Sequence, residues 1–303
     1  MRNYTTKHNN QMDYNSEFCN ACSNGNLKVA RQLVKIHTQI NVSVLDDFAF
    51  RFACKNGHLK IAKWLVDSYP QINISADNDF AFRCACSNGY LEVAKWLVDL
   101  YPQINISADD DFAFRCACSN GYLEVAKWLV KIPRKFIDVF ARDYYAFRFA
   151  CANNHLKVAK WLVKYHPPIH ISALDDFAFK HVCRFGHLVI AQWLVHIHQQ
   201  INVSADDDYA FRYACKNGQL EVAKWLIHTY PQINVSALED YAFKSACAEG
   251  QLKVAKWLVE IHPQINVYAD ADYVFKSACV EVAKWLRHTY PQINISACDD
   301  LVF

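Results

Sequence analysis

The sequence predicts an all-α repeat solenoid, and three residue series predict it. All seven glycines, Gly25, Gly57, Gly89, Gly121, Gly186, Gly218 and Gly250, fall 32 residues apart except across one 65-residue gap, where Asn154 takes the missing slot. Nine cysteines (Cys22, Cys54, Cys86, Cys118, Cys151, Cys183, Cys215, Cys247 and Cys279) form a second series, and eight tryptophans (Trp64, Trp96, Trp128, Trp161, Trp193, Trp225, Trp257 and Trp285) a third. Such a period means that one supersecondary unit is copied along the chain, each copy burying its apolar face against the next. A stacked array needs no central core, so the 303 residues read as one elongated array rather than two domains.

The unit dictates two helices. Between positions 47 and 78 it reads DFAFRFACKNGHLKIAKWLVDSYPQINISADN. Asp47 is a good N-cap, and Phe50, Ala53 and Cys54 recur at helical spacing along a first short helix. Asn56 and Gly57 stop it, glycine supplying the left-handed conformation that reverses the chain. Leu59, Ile61, Ala62, Leu65 and Val66 mark one face of a second helix, which Pro70 ends. A polar loop from Gln71 to Asp77, with Ile72 and Ile74 alternating inside it, leads to the next cap.

Composition narrows the partners. Lys plus Arg at 32 against Asp plus Glu at 30 gives a formal net charge of +2, which offers no global attraction for nucleic acid or an anionic membrane. The N-terminus, through Thr6, Lys7, Asn10 and Asp13, is polar and lacks the apolar core of a secretory signal, and lysines, or Gln192 and His196 in the segment 188–197, interrupt every helical segment before the ~20 apolar residues of a membrane span accumulate. Each cysteine of the series follows an alanine, except Cys183 after Val182, which marks a small apolar slot at a helix contact. Packed helices lie ~10 Å apart, beyond the ~7 Å reach of a disulfide. Free thiols in this number imply an intracellular, reducing compartment.

The order helix, turn, helix, extended loop resembles the ankyrin repeat, residue by residue. The family's T-P-L-H-x-A-A opening falls on Phe48 to Cys54, its N-G-H-L-E-V-V core on Asn56 to Ala62, and its loop asparagine on Asn73. Two departures recur. Aromatic-Ala and Arg or Lys replace the Thr-Pro and His of the opening, and the loop is one residue shorter than the family's period of roughly 33. With the threonine gone, the aspartate one position earlier is expected to cap the first helix. The dialect FAFRxACxNGHLxVAKWLV is similar to ankyrin arrays encoded by giant DNA viruses of the mimivirus type.

Counted from their caps, the repeats start near 15, 47, 79, 111, 144, 176, 208, 240 and 272, which makes 15–299 the array, between a polar tail at 1–14 and the stub of a tenth repeat at 300–303. The ninth lacks four residues after Cys279, its turn glycine among them, so its two helices are expected to run on as one from about Tyr273 to Thr289 or to pack poorly. The chain stops at Leu301, Val302 and Phe303 with no polar capping repeat, an end expected to fray, to bind something, or to reflect a truncated gene.

Regular residues belong to structure, and recognition is expected where repeats differ. The tryptophan series adjoins the apolar face of the second helix and is expected to pack rather than to stack on a ligand. At the loop tips, acidic pairs such as Asp46 and Asp47, or Asp207 and Asp208, edge what the resemblance makes a concave groove; the second acid is expected to cap its helix and to neutralise the base four residues on, as Asp47 with Arg51, leaving the first for a partner. One variable slot reads Phe52, Cys84, Cys116, Phe149, Val182, Tyr213, Ser245 and Ser277, and another runs from Lys55 through Arg184 and Lys216. Residues 69–98 and 101–130 are identical apart from Asn78 and Asp110, so repeats five to seven carry the distinctive chemistry. Phe52, Lys55, Phe149, His181, Arg184, Phe185, Tyr213 and Lys216 are the candidate partner-binding residues.

Catalysis finds no support in the motifs. Cys19 and Cys22 have C-x-x-C spacing but lie in a first helix without a second pair, and His166 and His170, or His196 and His198, lack a third ligand. No nucleophile elbow, P-loop or H-E-x-x-H pattern occurs, and the turn series uses every glycine. Neither a metal nor a cofactor is expected. Loop asparagines such as Asn73 and Asn105 match the family position that can be hydroxylated, but are expected to bond the loop backbone. The resemblance implies a monomeric, non-enzymatic array that binds a protein on its concave surface, a viral factor engaging host or viral partners. The alternatives are a substrate adaptor for a host ubiquitin ligase, although no F-box-like module is visible, and a virion or assembly component stacking through its C-terminal end.

Overall fold

The computed structural model describes residues 14–133, 136–265, 267 and 279–292, and among them all regular structure is helical. The polar tail through residue 13, the first helix of the ninth repeat and the stub at 300–303 lie outside the described residues. The chain divides into two compact units, Met1–Ala150 with Lys157–Ile169, and Cys151–Leu156 with His170–Phe303.

First and second helices alternate. The series runs α1 (14–23), α2 (Leu27–Ile36), α3 (Val44–Lys55), α4 (Leu59–Ser68), α5 (Ala76–Ser87), α6 (Leu91–Leu100), α7 (Ala108–Ser119), α8 (Leu123–Leu129), α9 (Ala141–Ala152) and α10 (Leu156–Tyr165). It continues through α11 (Ala173–Arg184), α12 (Leu188–Ile197), α13 (Ala205–Lys216), α14 (Leu220–Thr229), α15 (Ala237–Ala248), α16 (Leu252–Ile261) and α17 (Val280–Thr289). Each first helix packs on the next first helix, α3 on α5 on α7 in the first unit and α11 on α13 on α15 in the second, and on the second helix of its own repeat.

The predicted slots are the core. Phe50, Ala53, Cys54, Ala62 and Leu65 are wholly buried, and their counterparts from the third to the eighth repeat are at most 2% exposed. Buried phenylalanines within each unit meet the tryptophan of the following repeat: Phe50 with Trp96 and Phe82 with Trp128, both at 6.4 Å, and Phe179 with Trp225 at 6.5 Å. The tryptophan series therefore packs repeat against repeat, each ring adding area burial and edge contacts worth about 0.5–1.5 kcal/mol. Desolvation pushes the Cys54, Cys151, Cys183 and Cys215 thiols far above the ordinary range, so these residues act as small hydrophobes.

Chain reversal between paired helices follows from one torsion. Gly57 has φ +80°, and a Cβ there would meet the Tyr90 ring of the next repeat at 2.4 Å, so both conformation and space exclude a side chain. Asn154, in the interrupted slot, holds φ +67°, a left-handed angle that asparagine tolerates.

The capping expectation is overturned. Leu45, Asp46 and Asp47 form a left-handed turn with φ +52° to +58°, and the same turn recurs at Asp77–Asn78–Asp79, Asp109–Asp110–Asp111 and Asp206–Asp207–Asp208. Buried Asp47 turns away from its own helix, and its Oδ2 accepts the backbone N–H of Asn73, 26 residues on, at 2.9 Å. Asp79 with Asn105, Asp111 with Asp138, Asp176 with Asn202 and Asp208 with Asn234 repeat the bond. Tyr144 stands in this slot in the fifth repeat and has no carboxylate to contribute. The loop asparagine does bond its own loop, Asn73 Oδ1 accepting the Ser75 N–H at 3.1 Å.

The expected pairing of Asp47 with Arg51 is replaced by a longer-range one. Arg51 donates from Nε to the Asp46 carbonyl at 2.7 Å and from Nη2 to the Leu45 carbonyl at 2.8 Å, while Nη1 reaches Asp77 Oδ2 at 2.9 Å and the guanidinium lies 5.1 Å from the Phe80 ring centre. Arg83 does the same with Asn78, Asp77, Asp109 and Phe112. Left-handed L-residues cost about 1–2 kcal/mol each. Two charged hydrogen bonds of about 1.5–3 kcal/mol offset that cost at each turn that an arginine clamps.

The ninth repeat also departs from expectation. Cys279 is extended, with φ −67° and ψ 161°, and α17 starts at Val280, so no single helix runs through this point. Cys279 is exposed and fills the position before the second helix, its Sγ 2.8 Å from where a Cβ on Gly250 would lie, so it leaves the buried cysteine series.

Candidate functional site

The first helices position the variable residues. In the second unit the left-handed turn starts each first helix in the same register, so aromatic side chains four residues apart stack along one face. Phe177 and His181 stack at 3.7 Å between ring centres, with His181 Nδ1 2.9 Å from the Phe177 carbonyl, and Tyr209 stacks on Tyr213 at 4.0 Å. The repeats are linked sideways, His181 to Tyr209 at 6.5 Å and Tyr213 to Tyr241 at 6.1 Å. His181, not Val182, occupies the variable slot of Phe52 and Tyr213; Val182 is fully buried in the alanine slot, a correction to the expected series.

Cations sit over this strip. The Arg184 guanidinium lies 5.3 Å from the Phe185 ring centre and 5.4 Å from that of Tyr213, and Lys216 Nζ lies 5.7 Å from Tyr213. Arg184 Nε is buried without a hydrogen-bond partner among the described residues, and Phe185 is 44% exposed. Lys216 also approaches Glu249 Oε1 at 3.7 Å. His181, Arg184, Phe185, Tyr213 and Lys216 thus form one patch. Burial pushes the Tyr241 phenol above its usual range, which keeps this ring neutral at neutral pH.

In the first unit the candidates form smaller groups. Phe52 stacks on Phe48 at 3.9 Å and lies 5.7 Å from Phe80, with Lys55 Nζ 4.8 Å from the Phe52 ring centre. Phe149 stacks on Tyr145 at 4.1 Å. Between these groups Cys84 and Cys116 fill the variable slot with small half-buried thiols. Sequence reasoning missed Phe177, Tyr209 and Tyr241, whose signal was the aromatic that stands four residues before the variable slot from the second repeat onward.

Other chemistry-bearing residues are absorbed by structure. Cys19 and Cys22 are buried, and desolvation lifts their thiols to about 11 and about 12, which keeps both protonated at neutral pH. Among the described residues no group of three or more His, Cys, Asp or Glu is placed to hold a metal ion, and no helix is long and apolar enough to cross a membrane. Of the exposed first acids, Asp110 is engaged by Arg142 at 2.9 Å.

Comparison with known proteins agrees with this architecture. Residues 18–110, 147–237 and 179–269 match a family model described as ankyrin repeats (3 copies), and residues 114–163 one described as ankyrin repeats (many copies). No curated protein matched the chain. Ankyrin repeats mediate protein–protein interaction, and neither matched model describes an enzyme. Helix pairs on one period, the turn glycine at positive φ and family matches over most of the length lead to one conclusion: the chain belongs to the ankyrin repeat family.

Proposed function

We propose that this chain is a non-enzymatic scaffold that binds a partner protein on the first-helix face, which the family resemblance makes the concave one, and that its principal contact is the patch of the second unit. The observation that carries the reading is Arg184, held between Phe185 and Tyr213 with a buried, unpartnered Nε, beside an exposed phenylalanine. Arginine and large aromatics in part-buried clusters are what interface hot spots are made of, and an unsatisfied buried donor gains a hydrogen bond when a partner supplies an acceptor. The viral dialect of the repeats supports a viral protein engaging host or viral factors.

Affinity purification of the full chain, compared with the double variant Arg184→Ala/Tyr213→Ala and with Lys60→Ala/Lys63→Ala on α4, tests it. A partner retained by the wild type and the α4 variant but lost from the patch variant supports the reading. Partners unaffected by the patch variant overturn it.

A further inference from the structure

The second helix of repeat four departs from the others. α8 has seven residues where α6 has ten, although residues 101–130 copy 69–98 almost unchanged. The cause follows α8: Pro133 arrives one residue earlier than Pro102 does after α6, and a residue before proline is driven out of the α conformation. The end of α8 tightens accordingly, with the Lys131 N–H donating to the Trp128 carbonyl at 3.0 Å and that of Ile132 to Leu129 at 3.2 Å.

Where α8 stops, a cleft of 620 Å³ lies between α8 and α10, with Lys127, Lys131, Lys160 and Lys164 around Val130 and Trp161. A second cavity of 390 Å³ shares Val130, Tyr165 and His166 with the first and is otherwise walled largely by Phe136, Ile137 and Val139. Phe136 is 82% exposed and Tyr165 59% exposed, so two large rings stand in solvent beside one apolar cavity.

The charge of the cleft is one-sided. Lys127 is paired with Glu124 at 2.8 Å, but Lys131, Lys160 and Lys164 are exposed and meet no carboxylate among the described residues. Lys164 Nζ lies 5.0 Å from the Tyr165 ring centre. Burial lowers the His166 pKa, which leaves its ring neutral, edge-on to Trp161 at 4.9 Å and with Nε2 buried and unpartnered. The carboxylate in the second cavity, Asp138, accepts the Phe140 N–H at 2.9 Å.

We propose that these joined cavities bind a short acidic peptide segment of a partner protein, its carboxylates over Lys131, Lys160 and Lys164 and one large apolar side chain among Val130, Phe136 and Tyr165. An inorganic or lipid phosphate gains from the lysines but nothing from the apolar cavity, whereas an acidic segment with an aromatic anchor uses both. The site lies on second helices and is independent of the first-helix patch.

Fluorescence anisotropy of the full chain tests it with a labelled peptide of glutamates interspersed with phenylalanines. A second probe has alanine for phenylalanine, and unlabelled tripolyphosphate serves as competitor. Lys160→Glu/Lys164→Glu should weaken the phenylalanine probe about tenfold or more, roughly 1.4 kcal/mol. The same charge change at exposed Lys60 and Lys63 on α4 should weaken it less than about threefold, because screening limits action at a distance. The alanine probe should bind about fivefold more weakly. Absence of binding, equal weakening by both lysine pairs, or an alanine probe that binds as tightly as the phenylalanine probe would each overturn the proposal, as would tripolyphosphate binding with the same lysine dependence and greater affinity.

Discussion

Asp47 opens a repeat and Asn73 lies in the loop that closes it, yet Asp47 Oδ2 holds the Asn73 backbone N–H at 2.9 Å, and the bond recurs at every described pair where an aspartate fills the slot up to Asp208 and Asn234. It pins each loop to the turn before it. Asp79→Ala should therefore cost about 1–3 kcal/mol, the loss of a buried charged acceptor, while Asp79→Asn, which keeps an acceptor, should cost less. Urea unfolding midpoints check the order.

Asp111 carries a pH signature. Desolvation raises its carboxyl above 3.8, against the opposing N–H of Asp138, so the folded chain holds this proton to higher pH than the unfolded chain. Its contribution favours folding below 3.8 and is lost as pH rises through the higher folded value. Asp111→Asn removes the buried charge and keeps an acceptor. It should raise the urea midpoint at pH 7, and the gain should shrink towards zero as pH falls to about 4; a gain that grows on acidification would contradict this account.

The arginine fork predicts an asymmetry between Arg and Lys. Arg83→Lys should destabilise by about 1–2 kcal/mol, because one ammonium cannot bond two carbonyls and Asp109 together. Lys180, which stands in the same slot and contacts Asp206, should respond in reverse, Lys180→Arg stabilising by about 1 kcal/mol. Thermal melts of both variants decide it.

Thiol labelling under native conditions should rank the cysteines by burial. Cys279, exposed, and Cys84 and Cys116, half-buried, should react first, and Cys54, Cys86, Cys118 and Cys215 only on unfolding. Peptide mapping after timed alkylation reads the order. Rapid labelling of Cys54 in folded protein would contradict the packing of α3.

Most of the fold was legible because its signals are local. Spacing alone placed Phe50, Ala53 and Cys54 in the core and Gly57 at the reversal, and regularity alone separated the packing tryptophans from the variable slots. The candidate site was legible in part. Arg184, Phe185 and Tyr213 stood out by residue type, but the rings beneath them did not, since Phe177 and Tyr209 sit in a slot that is aromatic in every repeat after the first. Asp47 misled because an aspartate before a helix is ordinarily its cap, and nothing within the unit reveals a left-handed turn.

By itself the sequence determined the period, the helix pair, the buried slots and the family, because apolar spacing and turn glycines act within a few residues of one another. Only the tertiary structure decided where Asp47 sends its carboxylate, which carbonyls and acid Arg51 clamps, which rings Arg184 lies over, and that a shortened α8 borders a basic cleft. These relations join side chains far apart in the sequence, as Arg51 to Asp77 across 26 positions or Arg184 to Tyr213 of the following repeat, and so depend on the register in which successive helices stack. That register is set by the packing of whole helices, and no pattern inside a single unit contains it.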